Sequence, residues 1–256
     1  MSLHAEFTNM IRSRELVTGT WMQIPHTIVA ELLAQTGFDF ILLDGEHAPV
    51  PPDLLYTLLP ATERFNKPVL YRVRYNSPDL IKAALDAGAT ALIVPMVNSA
   101  KEAAEAVSAA KYPPFGKRGI GAWRASNYYL DEAAYVATAN ETALIVQIES
   151  REALEAVDEI AATPGIDAIY IGPADLCMSL GLPLGQLSDG LKEACRKVAA
   201  AANRNGIAAG IDVASLDYVR TYRALGFSLL THGLDTGYLI DGGRQLSARL
   251  REASRA

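Results

Sequence analysis

Ala143-Leu144-Ile145-Val146-Gln147-Ile148-Glu149-Ser150 is the stretch that decides how this chain folds. It opens with an unbroken apolar run rich in branched side chains, then ends on polar residues at every second position. A run without alternation is the mark of a parallel strand covered on both faces. The polar tip marks the end that meets an open rim. Ser150 then starts a helix whose Leu154, Val157 and Ile160 share one stripe.

The same beat recurs along the whole chain. Strands are predicted over 19–23, 38–44, 69–73, 91–96, 143–149, 168–172, 208–211 and 228–233, with amphipathic helices between them. The segment from Ser77 to Leu85 shows the helical grammar: Ser77 as a cap, Pro78 in the first turn and Gly88 as the stop. Gly37 is read as a second such stop, ahead of the strand beginning at Phe38. Eight strand–helix units with right-handed crossovers close into a (β/α)8 TIM barrel, here a single α/β domain over 1–256. An open doubly wound sheet is the alternative. It usually carries a Gly-rich turn after its first strand, whereas this one runs into Trp21-Met22-Gln23-Ile24-Pro25. One long irregular stretch, from Tyr112 to Tyr129, is read as functional because long loops in compact domains usually are.

Bulk properties narrow the function. A length of 256 residues suits one barrel, and 50% hydrophobic residues supply its core. A net charge of -6 argues against a nucleic-acid surface. No apolar run is long enough for a membrane span. The start, Met1-Ser2-Leu3-His4-Ala5-Glu6, lacks the basic and apolar regions of a signal peptide. The two cysteines, Cys177 and Cys195, form no CxxC pair and suit a reducing interior. A cytoplasmic protein acting on small molecules is expected.

In such a barrel the chemistry belongs at the C-terminal ends of the strands. Those ends carry Trp21 and Gln23, Asp44-Gly45-Glu46-His47, Arg72 and Arg74, Gln147 and Glu149, Gly172-Pro173-Ala174-Asp175, Asp212, and His232 with Asp235. Acids, a histidine and arginines converging on one rim are costly to bury without purpose. Glu149 and Asp175, read as neighbouring strand ends, can share a hard divalent cation such as Mg2+ or Mn2+; an acid pair holding an arginine is the equal alternative. His47 is either a general base or an exposed loop histidine. Arg72 and Arg74 share one strand face and bind either an anionic substrate or a barrel acid. None of the seven lysines falls in a predicted strand, so a Schiff-base mechanism has no nucleophile there, and no nucleotide motif is present.

Four segments, Leu43-Asp44-Gly45-Glu46-His47-Ala48-Pro49, Tyr112-Pro113-Pro114 with Gly116-Lys117-Arg118-Gly119, Gln147-Ile148-Glu149-Ser150 and Ile171-Gly172-Pro173-Ala174-Asp175-Leu176, resemble those of the metal-dependent (class II) pyruvate aldolases. That family includes enzymes acting on 4-hydroxy-2-oxoheptanedioate, 2-dehydro-3-deoxygalactarate and 2-keto-3-deoxy-L-rhamnonate. The likeness runs in order along essentially the whole chain. It implies a phosphoenolpyruvate/pyruvate-type barrel that cleaves a 4-hydroxy-2-oxo acid to pyruvate and an aldehyde. It implies a divalent cation (Mg2+, Mn2+ or Co2+) on Glu149 and Asp175, a substrate contact at Gln147, and a carboxylate cradle at Gly172, Pro173 and Ala174. His47 matches the base, Arg72 the enolate stabiliser, Asp44 an acid near the cation's waters, and Trp21 an aromatic wall. Asp86 matches the histidine's aspartate partner. Because Asp86 sits late in its helix, on the far side of its own barrel, the resemblance implies a homo-oligomer with active sites completed near subunit interfaces.

The chain departs from the family pattern at Asp212 and His232, where apolar or small residues are usual; both positions are expected on the aldehyde side. Three alternatives stay open. One is a related enolate enzyme, either a citryl- or malyl-CoA type lyase or an oxaloacetate decarboxylase. The others are a phosphosugar isomerase, whose phosphate the acids Asp212 and Asp235 would repel, and a non-catalytic metabolite-binding barrel.

Overall fold

Strands and helices alternate as the apolar beat predicts in the computed structural model, which describes residues 3–255. Residues 1–2, the tip of the segment read for a leader, lie outside the described residues. Helix α1 (Leu3–Ser13) precedes β1 (Val17–Met22), α2 (Thr27–Ala34), β2 (Phe40–Asp44), α3 (Leu55–Glu63), β3 (Val69–Arg72), α4 (Pro78–Ala87), β4 (Ala91–Val94) and α5 (Ala100–Ala110). The second half holds α6 (Glu132–Thr138), β5 (Ala143–Ile148), α7 (Arg151–Glu155), α8 (Val157–Ala161), β6 (Ala168–Ile171), α9 (Pro173–Leu180), α10 (Asp189–Arg204), β7 (Ala208–Asp212), α11 (Val219–Leu225), β8 (Leu229–Leu234) and α12 (Asp235–Ala253). The strands form a closed barrel in sequence order, and β1 closes on β8 with Val17 opposite Leu229.

Alternation along each strand sorts side chains into two cores. Outward residues such as Ile41, Leu43, Leu144, Val146 and Ile148 pack under the helices. Inward residues such as Phe40, Leu42, Leu70, Ile93 and Ile145 fill the barrel. The lower mouth is closed by α1, whose Phe7 and Ile11 are buried against that interior, with the Phe7 and Phe40 rings 5.3 Å apart. Gly19 leaves room for this packing: a Cβ there would lie 2.3 Å from the Phe40 ring. Continued upward, the inward positions become Trp21, Asp44, Arg72, Gln147, Tyr170, Asp212 and Thr231. The residues that fill the core and those that form the rim therefore lie on the same faces of the same strands.

Several local expectations change. Helix α2 ends at Ala34 with Gln35 as its cap, and Gly37 is an ordinary turn residue without a left-handed backbone. Gly88 does close α4 at φ 99°, but Ser77 enters it with an extended backbone and no side-chain capping bond. Ser150 does cap its helix, accepting from Ala153 N–H at 2.9 Å, yet the helix breaks at Ala156 into α7 and α8. Asp175 lies in the first turn of α9 rather than on a strand end. The 112–129 stretch joins α5 to β5, so it lies at the lower face, away from its own barrel's rim. There Arg118 is buried, pairs with Asp86 at 2.5 Å and stacks on Tyr112 at 4.6 Å.

Helix α12 is the outlier in packing. Of its 19 residues only Asp235 is buried, and Leu239, Ile240, Leu246 and Leu250 are exposed. Among the described residues no helix is long and apolar enough to cross a membrane.

Candidate active site

A cavity of about 220 Å3 opens at the C-terminal rim. Nine of the eleven predicted site residues line it: Trp21, His47, Arg72, Gln147, Glu149, Gly172, Pro173, Ala174 and Asp175. Gln23, Tyr170, Asp212 and Leu234 complete the wall. Asp44 and Asp86 do not line it.

Asp44 sits behind the wall. It is fully buried and accepts from Arg72 Nε (3.0 Å), from the backbone N–H groups of Glu46 (3.0 Å) and His47 (3.1 Å), and from Gln23 Nε2 (3.0 Å). Burial alone would raise its pKa. The Arg72 charge, the Gln23 amide and those two backbone N–H groups outweigh burial and hold the carboxyl below the usual carboxylate range. Asp44 thus fixes both Arg72 and the turn that presents His47.

Arg72 ends β3, and its guanidinium lies over the Trp21 ring at 4.5 Å. Arg74, two residues on, has left the strand. It is exposed, with Nε reaching only to 3.5 Å from the Gly45 carbonyl. The structure thereby separates two arginines that share a strand face in the sequence.

Glu46 is placed on the rim by the sequence but given no role there. Its Oε2 lies 3.1 Å from Arg72 Nη1 and 3.6 Å from His47 Nε2, linking the two. Burial raises its pKa, with repulsion from Asp44 and Asp175 adding to it and Arg72 and His47 opposing. A carboxylate beside a histidine at the end of a strand was the available signal.

Glu149 is buried and anchored: Met96 N–H donates to Oε1 at 2.7 Å, and Gln147 Nε2 donates to Oε2 at 2.9 Å. Its pKa is pushed up to about 7 by burial, with the charges of Glu46 and Asp175 adding to the shift. Gly172 permits this crowding, since a Cβ there would lie 2.2 Å from Glu149 Oε2. Helix α9 starts just beyond. Its first backbone bond runs from Leu176 N–H to Gly172 O, so the N–H groups of Ala174 and Asp175 precede the ladder, and Pro173 has none to offer. An anion at that helix start is well served.

The donor set fits a hard cation. Asp44 and Glu46 pair with Arg72, Glu149 and Asp175 line the same cavity, and Gln147 Oε1 is buried without a hydrogen-bond partner among the described residues. Among the described residues no three His, Cys, Asp or Glu side chains gather into a metal-holding group. Among the described residues no strand contains a lysine.

Asp212 and His232 differ from each other. Asp212 faces the cavity, while His232 Nδ1 contacts the Val213 carbonyl at 2.6 Å, outside the lining. Asp235 is structural. Its carboxylate accepts from the backbone N–H groups of Gln23 (3.0 Å), Ile24 (2.8 Å) and Thr236 (2.8 Å), tying β1 to the start of α12. Asp86 finds Arg118, and the only acid paired with His47 in its own chain among the described residues is Glu46.

A parallel barrel with a cavity at its C-terminal rim, walled by acids, a histidine and an arginine, is the architecture of a barrel enzyme. Residues 18–242 match the HpcH/HpaI aldolase/citrate lyase family, and the chain belongs to it. It is 37% identical to a hydroxypyruvate/pyruvate aldolase of Roseovarius nubinhibens, covering 96% of each chain. It is 38% identical to a 2-keto-3-deoxy-L-rhamnonate aldolase of Escherichia coli O9:H4, covering 90% of this chain and 87% of the relative. The crystal structure of a family member from Burkholderia cenocepacia J2315 superposes with a TM-score of 0.90 at 34% identity, covering 96% of this chain and 99% of that one.

Proposed function

We propose that the rim cavity cleaves a 4-hydroxy-2-oxo acid to pyruvate and an aldehyde, reversibly, with the roles divided as follows. That the chain is a pyruvate aldolase follows from its family and its relatives. The observation that carries the residue roles is the shared cavity: Arg72, His47, Glu149, Asp175 and the start of α9 all face one space.

The substrate carboxylate docks at the N–H groups of Ala174 and Asp175, where the helix start favours negative charge. The carboxylates of Glu149 and Asp175 would hold a divalent cation, Mg2+, Mn2+ or Co2+, with Gln147 contacting the substrate beside them. When bound, that cation supplies Lewis-acid polarisation of the 2-oxo group. His47 takes the proton of the 4-hydroxyl. The C3–C4 bond breaks, its electron pair stays on C3, and charge spreads to the C2 oxygen as an enolate. Arg72 is preorganised for that charge by Asp44 on one side and the Trp21 ring on the other. Return of a proton to C3 gives pyruvate. Asp44 therefore acts as a positioning residue.

We assign the assembly as a cytoplasmic homo-oligomer. Support comes from the exposed apolar side chains of α12, from Ile28 and Leu32 exposed on α2, and from Trp123, Tyr128 and Leu130 exposed in the lower loop. That loop packs beside Asp86, which fits a neighbouring subunit bringing Asp86 to His47.

The test is pyruvate release measured through lactate dehydrogenase on a panel of 4-hydroxy-2-oxo acids, with EDTA and then with Mg2+, Mn2+ or Co2+ restored. Pyruvate appearing only with a restored cation is the expected result. Full activity under EDTA would remove the cation from the mechanism. No pyruvate from any member would favour the CoA-lyase or binding-barrel alternatives.

A further inference from the structure

The hydrogen bonds around Asp212 have a direction that can be worked out from donor chemistry. The Trp21 indole N–H, which only donates, reaches Asp212 Oδ1 at 2.8 Å. The Thr231 hydroxyl donates to the same oxygen at 2.7 Å. Its single proton is then used, so the Tyr170 hydroxyl, which contacts Thr231 Oγ1, must be the donor in that pair. The Trp21 N–H also reaches Thr231 Oγ1 at 3.0 Å, so Thr231 accepts from Tyr170 and Trp21 and the network ends on Asp212 Oδ1 as its acceptor. Among the described residues Oδ2 makes no hydrogen bond, and Asp212 lines the cavity.

The position of this oxygen matters. Glu149 ends β5 and α9 follows β6, so the pyruvate half lies on that side of the rim. Asp212 ends β7, between β6 and β8, and its side chain reaches across β8 to Trp21 of β1, where the cavity continues past Trp21 and Leu234. A carboxylate held rigidly through one oxygen presents the other as a fixed acceptor with negative charge. It meets whatever the substrate carries beyond its C4.

We propose that Asp212 sets the aldehyde preference of this site. Its free oxygen accepts a hydrogen bond from a hydroxyl of a neutral hydroxyaldehyde and turns away aldehydes bearing a carboxylate. The inference rests on the pyruvate-aldolase reading above. In a substrate built of carbon, hydrogen and oxygen, the donor that suits a carboxylate is a hydroxyl. A second carboxylate facing Asp212 would bring two like charges together in a partly desolvated wall.

The experiment compares kcat/KM for the addition of pyruvate to glycolaldehyde, propionaldehyde and succinic semialdehyde. The wild-type order is expected to be glycolaldehyde first, ahead of propionaldehyde by about tenfold and of succinic semialdehyde by about a hundredfold. Asp212→Asn keeps an amide oxygen for Trp21 and Thr231 but removes the charge and offers an N–H to the cavity. It should shrink the glycolaldehyde-to-semialdehyde ratio by at least about tenfold. Ratios taken within one enzyme cancel any general loss of activity. An unchanged ratio in the variant, or a wild type that uses succinic semialdehyde as well as glycolaldehyde, overturns the proposal. Should Asp212→Asn fail to fold, the wild-type ranking decides alone. Exchange of pyruvate methyl protons into D2O by the wild type separates the two layers. No exchange refutes the pyruvate reading and this inference with it, whereas exchange with a flat aldehyde ranking refutes this inference only.

Discussion

At the lower end of the barrel, Phe7 and Ile11 close an interior filled by Phe40, Leu42, Leu70, Ile93 and Ile145. At the upper end the same strands continue inward as Asp44, Arg72, Gln147 and, one step beyond β5, Glu149. The lower end removes apolar surface from water, which stabilises the fold by about 25 cal/mol per Å2. The upper end buries charge, which costs free energy unless each charge is paired. Arg72 has Asp44 and Glu46, but Glu149 is hydrogen-bonded by neutral donors only, and burial with the charges of Glu46 and Asp175 outweighs the pull of Arg72 on it. One period-two pattern thus builds the most stabilising and the least satisfied parts of the molecule, a few residues apart.

The sharpest way to break this contrast is to damage the lower end alone. Phe40→Ala should cost about 3–5 kcal/mol of stability in urea unfolding, while the folded fraction keeps its kcat within about twofold. A large loss of kcat without loss of stability would mean that the two ends are not separate. Next comes Arg72→Gln. Loss of one enolate donor should lower kcat by about 100- to 1000-fold, and Asp44, left buried without its counter-charge, should lower the melting temperature as well. Arg74→Gln should do neither, and equal effects from both would erase the distinction drawn between them.

The pH dependence sharpens the same contrast. Glu149 binds a proton more tightly folded than unfolded, so the cation-free protein gains stability as pH falls through about 7. That contribution, about 3 kcal/mol at most, is complete below the ordinary carboxylate pKa and lost as pH rises above about 7. Melting curves of chelated protein at pH 6 and 8 should show it, and Glu149→Gln should remove it. Mn2+ affinity should fall with pH below about 7, since the cation displaces that proton. The smallest effect is expected for Trp21→Phe, which keeps a ring under Arg72 but removes the N–H to Asp212. About 1 kcal/mol of stability should be lost, with kcat nearly unchanged.

Much of this was legible in the sequence because strand faces obey a fixed period. The ends of strands named Trp21, Arg72, Gln147 and Glu149 directly, and the resemblance supplied roles for His47, Asp175 and the Gly172–Ala174 turn. What escaped reading depended on where an element stops. Arg72 and Arg74 share a face on paper, where the resemblance alone favoured Arg72, and the end of β3 at Arg72 separates them in space. Glu46 stood on the rim between Asp44 and His47 without a role, because its role arises from three-dimensional contact with Arg72. Asp235 read as a rim acid, yet it serves backbone N–H groups of a neighbouring strand end. The 112–129 stretch read as functional by length alone, and topology puts it at the opposite face, where it holds Asp86 through Arg118.

The central claim is that Glu149 and Asp175 hold a cation beside a pyruvate whose enolate Arg72 stabilises. The most direct measurement is exchange of pyruvate methyl protons in D2O, followed by NMR, for the chelated enzyme, the Mg2+- or Mn2+-restored enzyme and the Glu149→Gln/Asp175→Asn double variant. The account predicts exchange in the restored enzyme alone. Exchange that persists after chelation, or in a folded double variant, would contradict it.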